Sequence, residues 1–402
     1  MPLLASLKAL KTPTMTTLKH ASKKQMSHWR QHLHQHPETG FEVHDTAAFV
    51  AQKLTEFGLQ VHTQIGAVGV VGVLKRGTSN QAIGLRADMD ALAIQELNDF
   101  IYKSQNHGRM HACGHDGHTA MLLGAAQELA ATGNFDGTVY FVFQPDEEHG
   151  AGAQAMIDDG LFERFPMQAI YGLHNMPGMP AGQMAMNSGG VMASEDNFKI
   201  VIKGRGGHAS QPHHHIDPLV IGAEILLALQ TIVSRNIDPE LQAVVSATEF
   251  VTDGAVNVIP STVTISGDCR SFSEHVQDLI ETRMGQLVRG ICDAHGADHD
   301  FTYDRVFWAT INTATETHAA GKAAVALLGP SKVDLACRPK TISEDFASML
   351  RVKAGCYAFL GNGVDSVGGC MLHNPHYDFN DDINEIGAAY WVTLVEQELR
   401  LT

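Results

Sequence analysis

The sequence has no long hydrophobic run and no excess of positive charge, and each absence excludes a class of protein. Among its 402 residues, no stretch has the roughly 18 unbroken apolar residues that a membrane span needs. The chain carries 28 Lys and Arg residues against 44 Asp and Glu residues, a formal charge of -16. Such a charge repels nucleic-acid phosphates and anionic lipid. We therefore expect a globular protein that binds neither nucleic acid nor membrane.

Cysteine is also scarce, and the six cysteines show no paired spacing. One of them, Cys113, lies between histidines. Both features favour a reducing compartment, because disulfide frameworks belong to oxidising ones. The cytoplasm is therefore the expected location.

The length of the chain predicts two domains, because a single hydrophobic core usually stops growing at about 250 to 300 residues. Residues 1–20 are predicted to form a disordered extension, since lysines interrupt their short apolar start and no clear signal-peptide cleavage site follows. We expect residues 21–193 and 305–402 to form a catalytic domain. Residues 194–304 are predicted to form a second domain inserted into the first.

The first part of the chain alternates predicted strands and helices, the pattern of an α/β domain with a largely parallel sheet. The segment 139–143 is apolar at every position, as a central strand covered on both faces must be. The predicted helices of this domain span residues 22–35, 46–57 and 120–131. Its predicted strands span residues 68–74, 82–86, 139–143, 169–173 and 356–360.

The inserted domain has a different order of elements, βαββαβ, which is that of the ferredoxin-like arrangement. Asp217 followed by Pro218 supports the first helix, because Asp is a good N-cap and Pro suits the first helical position. The predicted strands span 197–203, 242–250, 263–269 and 299–303, and the predicted helices span 218–234 and 274–295.

Several potential metal ligands directly follow predicted strands. Asp88 follows the second predicted strand, Glu147 and Glu148 follow the third, and His174 follows the fourth. In open α/β sheets, binding sites form at the carboxyl ends of the strands. We therefore expect these side chains to converge although they are distant in sequence.

The densest group of potential ligands is the segment 111–118, which contains Cys113 and His115 directly before a predicted helix. Thiolate and neutral imidazole are ligands that Zn and its neighbours accept, and alternate residues of a tight loop can face one ion. A histidine-rich surface loop is the alternative, since the chain has 23 histidines. The segment alone leaves both interpretations open.

Two further segments add donors of other kinds. Glu147 and Glu148 are neighbours on an extended segment, so their side chains point in opposite directions and can serve different tasks, as ligand and as base. A lone acidic run would more often be a solvated turn. Near the C-terminus, His373 lies on an irregular loop, where a histidine is more often merely exposed.

A set of motifs runs nearly end to end in one order, and together they resemble a known family. The motifs occupy residues 32–38, 40–42, 86–92, 111–120, 144–148, 207–210, 257–260, 343–346 and the loop around residue 373. With them the chain resembles the M20 metallopeptidases, in particular the branch of hippurate hydrolases, N-acyl-amino-acid hydrolases and plant auxin-conjugate hydrolases. The resemblance implies a zinc-peptidase-like catalytic domain and an inserted ferredoxin-like domain.

The resemblance also implies a binuclear metal centre. The centre would hold two divalent ions per subunit, of Zn, Mn, Co or Ni. Cys113 would be the bridging ligand, and Glu147 would be the catalytic base. The implied metal ligands are Cys113, His115, Glu148, His174 and His373. Asp88 is expected to orient a ligand without binding an ion, because enough ligands are present already. His118 is expected to pack or to cap the helix.

In the family the inserted domain serves as a lid and dimer interface, so a homodimer or a higher homo-oligomer is expected. His208 would reach a neighbouring subunit's site and stabilise the developing oxyanion. Asn257 and Arg270 would bind the substrate carboxylate. Arg270 has an alternative role in a structural ion pair, because it lies at the end of a strand.

These inferences predict an enzyme that hydrolyses the amide bond of N-acyl or N-aroyl amino acids. One alternative is a di- or exopeptidase of the same fold, and another is a metal-binding relative without turnover. Glu147 argues against the latter, because a pure binding protein needs no base beside its metal. Two departures from the family pattern, Ala93 and Asp146, remove no ligand and are expected to influence substrate preference.

Overall fold

The computed structural model of the chain describes residues 18–365 and 368–401. Of the predicted extension at residues 1–20, only 18–20 fall in this range, so the rest of that prediction lies outside the described residues. The chain divides into two compact units. The first unit comprises the described parts of Met1–Val191, Ile311–Arg338 and Asp345–Thr402, and the second unit comprises Met192–Thr310 and Pro339–Glu344.

The regular elements are numbered in chain order within the described residues. The α-helices are α1 (Lys23–Gln35), α2 (His44–Glu56), α3 (His115–Thr132), α4 (Gly152–Asp158), α5 (Leu161–Arg164), α6 (Pro218–Thr231), α7 (Glu274–His295), α8 (Ala314–Leu328), α9 (Phe346–Val352) and α10 (Asn384–Glu398). The strands are β1 (Gln60–Ile65), β2 (Gly69–Arg76), β3 (Ala82–Asp88), β4 (Gly137–Gln144), β5 (Ala169–Pro177), β6 (Met184–Ala185), β7 (Gly189–Met192), β8 (Glu195–Lys203), β9 (Gly207–His208), β10 (Ala243–Thr252), β11 (Val258–Ile259), β12 (Thr262–Ser271), β13 (Asp298–Phe307), β14 (Thr310–Asn312), β15 (Val333–Asp334) and β16 (Gly355–Gly363).

The first unit is built on one mixed sheet with the strand order β1-β2-β4-β3-β5-β16-β6-β15. Its central strands β4, β3, β5 and β16 are parallel, whereas β2 runs antiparallel to both of its neighbours. Strands β3, β5 and β16 are buried along their whole length. The predicted α/β fold with a mixed, mostly parallel sheet is confirmed.

The second unit contains β8, α6, β10, β12, α7 and β13 in chain order, and its antiparallel sheet has the strand order β10-β12-β8-β13. This is the strand order of the ferredoxin-like arrangement. Helix α6 begins at Pro218 after the N-cap Asp217, whose side chain accepts from the N–H of Leu219, and α7 has the predicted ends.

Helix α6 and its π-helical continuation, Ile232–Asn236, form a segment long and apolar enough to cross a membrane by length and composition alone. Within the second unit, however, Ile221, Ile225 and Leu229 of this helix are buried in the core cluster with residues of the sheet. One face of the segment therefore covers a hydrophobic core, and 33% of its most apolar window is buried.

A buried ion network joins α1 to α3 and to the loops around them. His34 is fully buried, with Nδ1 2.9 Å from Asp116 Oδ2 and Nε2 3.2 Å from Glu96 Oε1. Burial would lower the pKa of His34, but its hydrogen bonds to Asp116 and Glu96 outweigh burial and raise the pKa to about 9. A protonated imidazole donates from both nitrogens, so the charged form matches its two carboxylate partners.

This network predicts a pH-dependent stability. The folded state binds a proton at His34 up to about pH 9, whereas the unfolded chain releases it near pH 6.5. The free energy of unfolding should therefore lose a contribution of about 3 kcal/mol as the pH rises between these values. Denaturant unfolding followed by tryptophan fluorescence should show this slope in the wild type and a flatter one in His34→Gln. The variant His107→Gln, which changes an exposed histidine, should keep the wild-type slope. Equal slopes in His34→Gln and His107→Gln would show that His34 does not cause the pH dependence.

Candidate metal centre

Helix α3 begins at His115, rather than at residue 120 as predicted, and this places His115 and His118 inside the helix. The expectation that His115 lies on a loop with its neighbours is therefore wrong. The physical reason is Gly114, whose left-handed φ of 98° turns the chain directly into the helix. His115 and His118 are three residues apart and share one helical face, with ring centroids 5.5 Å apart.

The five predicted metal ligands lie together in the first unit, near the carboxyl ends of its parallel strands. His174 lies within β5 and does not follow it as predicted, because the strand continues to Pro177. Cys113, His115 and His174 form one group, and Cys113, Glu148 and His373 form another, with ligand atoms in each group all within 4.8 Å of one another. Cys113 belongs to both groups, and its Sγ lies 3.4 Å from His174 Nε2. A shared thiol between two donor groups is what a bridging ligand requires, and thiolate, imidazole and carboxylate suit Zn and its neighbours.

His115 and His174 are both oriented by backbone carbonyl groups. His115 Nδ1 lies 2.8 Å from the carbonyl oxygen of Asp90, and His174 Nδ1 lies 2.6 Å from that of Asn175. A carbonyl oxygen can only accept, so each Nδ1 carries a proton and donates it. This leaves Nε2 of each ring as the nitrogen available to a cation, which is the usual arrangement of metal-binding histidines.

Two buried atoms of this cluster, His115 Nε2 and Glu148 Oε1, have no hydrogen-bond partner among the described residues. They lie 3.9 Å apart, which is too far for a hydrogen bond between them. A buried polar atom without a partner costs about 1–3 kcal/mol. A cation between the two atoms would satisfy both, so the geometry of these residues fits a metal ion.

Carboxylates surround His115 and make its environment strongly negative. Burial would lower the pKa of the imidazole, but Asp88, Asp90 and Glu148 outweigh burial and raise the pKa to about 10. Burial, followed by the charges of Asp90 and Asp88, raises the pKa of Glu148 to about 7. The main causes differ, since carboxylate charges raise the pKa of His115 and burial raises that of Glu148. In both cases the neighbouring carboxylates favour added positive charge, whether a proton or a metal cation.

His373 joins the cluster from a loop near the C-terminus. Its backbone has a left-handed φ of 62°, which is uncommon for a residue with a side chain and is typical of functional sites. Its N–H donates to the carbonyl of Ala112 at 2.8 Å, and its Nε2 lies 3.4 Å from Glu148 Oε2. Partial burial lowers the pKa of His373, and burial lowers that of His174, so both rings are neutral and suited to ligation.

Glu147 lies beside the ligand groups on the loop after β4. It is buried, and its Oε2 lies 3.8 Å from His115 Nε2. The preceding residue, Asp146, has a left-handed φ of 49°, so the chain turns sharply before the two glutamates. The N–H of Glu148 donates to Asp90 Oδ2 at 3.1 Å. Glu147 and Glu148 lie in a turn and not on an extended segment, and both carboxylates are close to His115. The prediction that their side chains point in opposite directions is therefore wrong, because the left-handed Asp146 starts a turn.

Asp88 is already engaged by other side chains. Its Oδ2 lies 2.7 Å from Arg86, and its Oδ1 lies 2.6 Å from His118 Nδ1. Burial would raise the pKa of Asp88, but the charges of His115, His118 and Arg86 outweigh it and hold the pKa well below its usual range. Asp88 also forms a further group of potential ligands with His115 and His118. Its predicted role, to orient a ligand without binding an ion, stays a prediction.

Sequence reasoning missed Asp90 and Asn175, whose carbonyl groups orient the two buried histidines. A signal existed for each of them. Asp90 lies two residues after Asp88, so the alternation of an extended segment places both on one side. Asn175 directly follows the predicted ligand His174. Their contribution was hidden because it comes from the backbone, which any residue type can supply.

Three predicted substrate-side residues belong to the second unit, and two of them are close together. His208 pairs with Val258 across strands β9 and β11, and the N–H of Ala209 donates to the carbonyl of Asn257 at 3.0 Å. Both His208 and Asn257 are exposed to solvent. The short antiparallel pairing of β9 and β11 therefore fixes the spacing of His208 and Asn257.

Arg270 lies on β12 and is half-buried. Its NH1 lies 2.8 Å from Glu195 Oε2, its Nε lies 3.0 Å from Asp268 Oδ2, and it also donates to Ser343 Oγ. The alternative of a structural ion pair is favoured by this geometry. A role of Arg270 in substrate binding stays a prediction.

A family model described as peptidase family M20/M25/M40 matches residues 84–397 of the chain. The chain belongs to this family. A hippurate hydrolase from Campylobacter jejuni is 42% identical over 92% of this chain and 96% of its own length. An N-acyl-L-amino acid amidohydrolase from Geobacillus stearothermophilus is 40% identical over 71% of this chain and 77% of its own length. A solved Bacillus subtilis protein described as a dinuclear metal-binding M20 peptidase aligns with a TM-score of 0.82 and 29% identity, covering 94% of this chain and 99% of its own.

The predicted resemblance to the amidohydrolase branch of the M20 family is confirmed by these relatives. The protein is a metallohydrolase that acts on amide bonds. Its first unit contains groups of side chains that could hold metal ions.

Gly114 offers a test of how the metal centre is built. A Cβ at position 114 would approach Asn175 Oδ1 to 2.3 Å and Tyr377 OH to 2.6 Å, and the left-handed φ would add strain. Gly108 also has a left-handed φ, of 73°, but nothing lies within 4 Å of a Cβ there. Gly108→Ala should therefore cost only about 1–2 kcal/mol of stability.

Gly114→Ala should cost more than Gly108→Ala and should also lower the metal content, because the clash displaces Cys113 and His115. Denaturant unfolding and elemental analysis after metal loading and dialysis measure the two effects. Equal stability and equal metal content in the two variants would show that the turn at Gly114 does not position the ligands.

Proposed function

We propose that the protein hydrolyses the amide bond of N-acyl and N-aroyl amino acids, releasing a carboxylic acid and a free amino acid. The observation that carries this proposal is the pair of donor groups that share Cys113, with the carboxylate of Glu147 beside them. The hippurate hydrolase relative supports an aroyl amino acid as substrate, since 42% identity extends over nearly the whole of both chains.

Two divalent ions per subunit, of Zn, Mn, Co or Ni, would be held by the donors of the centre, with Cys113 between them. The proposed ligands are Cys113, His115, Glu148, His174 and His373. When bound, such ions lower the pKa of a coordinated water from about 15.7 toward 7 and polarise the substrate carbonyl. Asp88 orients His118 and Arg86 around this centre without serving as a ligand.

Glu147 is the proposed general base and acid. It is buried beside His115 but is not needed to complete either of the two donor groups that share Cys113. Its carboxylate accepts a proton from the attacking water and then donates it to the departing amine. Burial of Glu147 favours this transfer, because the carboxylate is held in place before the reaction begins.

The second unit is proposed to act as a lid. His208 donates a hydrogen bond to the oxyanion that develops on the substrate carbonyl, in the site of a neighbouring subunit. Asn257 and Arg270 bind the substrate carboxylate. The exposure of His208 and Asn257 and their fixed spacing on β9 and β11 support contact with a substrate.

A homodimer or higher homo-oligomer formed through the second unit is also proposed. Strand β10 lies at the edge of its sheet, and an open edge can pair with a second copy. Apolar side chains are exposed on β10 and on α6, including Val251 at 59% and Leu227 at 72%. Exposed apolar surface of this kind is typical of protein–protein contacts.

The cytoplasm is the proposed location. No disulfide joins any two of the six cysteines, all of which lie within the described residues. Thiols without disulfide partners fit a reducing compartment, and Cys113 has to remain a thiol in order to bind metal.

Substitution of Glu147 tests the proposed mechanism. Glu147→Gln keeps the shape of the side chain but cannot accept a proton, so kcat should fall about 10³-fold or more while the metal content is unchanged. Steady-state kinetics and elemental analysis measure the two quantities. Glu163→Gln, which changes an exposed carboxylate of the same unit, should behave as the wild type. A rate near that of the wild type in Glu147→Gln would remove Glu147 from the mechanism.

A substrate panel separates the proposed activity from a di- or exopeptidase, which the name of the Bacillus subtilis relative keeps as the second candidate. N-benzoyl, N-acetyl and indole-acetyl amino acids and unblocked dipeptides should be compared after loading with Mn, Zn, Co or Ni. We expect kcat/KM to be at least about 100-fold higher for acylated substrates, because a free ammonium group is repelled by two nearby cations. A preference for unblocked dipeptides would establish the peptidase instead.

A further inference from the structure

The backbone around His208 is fixed on both sides by hydrogen bonds within the second unit. His208 lies in β9, opposite Val258 of β11. The carbonyl of His208 accepts the N–H of Gln211 at 3.0 Å, and the N–H of Ala209 donates to Asn257. The chain therefore forms a tight turn after His208, and this turn brings Ser210 back to the imidazole ring.

Two donors from Ser210 converge on one nitrogen of that ring. The backbone N–H of Ser210 lies 3.1 Å from His208 Nδ1, and the hydroxyl Oγ lies 2.8 Å from the same atom. A hydroxyl can donate or accept, but a backbone N–H can only donate. Nδ1 must therefore be an acceptor, and the proton of the neutral ring must be on Nε2.

The other ring nitrogen remains available for a ligand. His208 is exposed, and its Nε2 makes no hydrogen bond with any described residue. The proposed oxyanion donor has to present an N–H group, because a lone pair at the same place would repel developing negative charge. The contacts of Ser210 produce the tautomer that this task needs.

We infer that Ser210 is a positioning residue that holds His208 in the Nε2–H tautomer and so presents an N–H group to the substrate's oxyanion. This inference rests on the function proposed for His208. Ser210 acts through His208 and does not touch the substrate. Its two donors also fix the rotation of the ring, which points Nε2 away from the turn.

The neighbouring glycines explain why the backbone can approach so closely. A Cβ at Gly207 would meet the ring of His215 at 2.0 Å, and a Cβ at Gly206 would meet the carbonyl oxygen of Ile259 at 2.5 Å. A side chain at position 206 would therefore displace β9 from β11, and one at position 207 would displace the ring of His215.

The tautomer can be read directly by NMR of the full-length, metal-loaded protein with ¹⁵N-labelled histidine. The ring nitrogens of the two tautomers have distinct chemical shifts, and the His208 signals are assigned by their loss in His208→Gln. We expect the Nε2–H form in the wild type. Ser210→Ala keeps the backbone donor and loses the hydroxyl, so a measurable fraction of the Nδ1–H form should appear. Ser234→Ala, which removes an exposed hydroxyl on the continuation of α6, should leave the His208 signals unchanged.

Kinetics provide the functional part of the test, with an N-acyl amino acid as substrate. An oxyanion donor acts in the transition state, so Ser210→Ala should lower kcat about threefold to tenfold and leave KM nearly constant. The side-chain amide of Gln reaches the position of Nε2, whereas that of Asn reaches the position of Nδ1. His208→Gln should therefore keep a higher kcat than His208→Asn.

The outcomes separate this inference from the proposed function of His208. An Nδ1–H form in the wild type, or a Ser210→Ala variant that changes only KM, would overturn the inference whatever the activity of the enzyme. An unchanged kcat in His208→Asn would overturn the oxyanion role itself, and the positioning role with it, even if the Nε2–H form is observed.

Discussion

Four carboxylates, Asp88, Asp90, Glu147 and Glu148, lie 3.4 to 3.9 Å from a ring nitrogen of His115, and the first unit has to balance their repulsion. Carboxylates gathered around one buried point need a compensating positive charge. Arg86 supplies part of it, but its guanidinium is already shared between Asp88, Gln144 and Asp345. The remaining negative charge explains the raised pKa of His115 and makes the cluster a natural host for divalent cations.

The most informative feature of the sequence is the position of potential ligands relative to the predicted strands. Asp88, Glu147 and His174 each follow a predicted strand, and this position predicts that they converge. The parallel strands β3, β4 and β5 do bring them together, although β3 extends to Asp88 and β5 extends beyond His174. A strand that is buried on both faces is apolar at nearly every position, and such a continuous apolar segment is easy to recognise in a sequence. The fold class was predictable for the same reason, because strands alternate with helices along the chain.

Features that depend on single backbone conformations were not predictable. The start of α3 at His115 depends on a left-handed Gly114, and nothing in the sequence distinguishes that glycine from one in a flexible loop. The carbonyl groups of Asp90 and Asn175 have no signal of their own in the sequence beyond their closeness to Asp88 and His174, since any residue has a carbonyl group. His373 could be placed only by its motif, because its loop reaches the centre through one backbone hydrogen bond to Ala112. Strand β1 was missed because it is mostly exposed and polar.

Two residues of the second unit differ in how many of their hydrogen-bonding groups are used within the fold. A residue whose groups are all used stabilises the structure, whereas a residue with an unused group can bind a ligand. The guanidinium of Arg270 is engaged by two carboxylates and a hydroxyl, so a substrate carboxylate would have to displace existing partners. His208 uses only one ring nitrogen in the fold. One of the two partners of that nitrogen, the backbone N–H of Ser210, can only donate. Its second nitrogen can bind a ligand without breaking any contact within the described residues. Of the substrate-side residues predicted from sequence, His208 therefore needs the least rearrangement to act, and Arg270 needs the most.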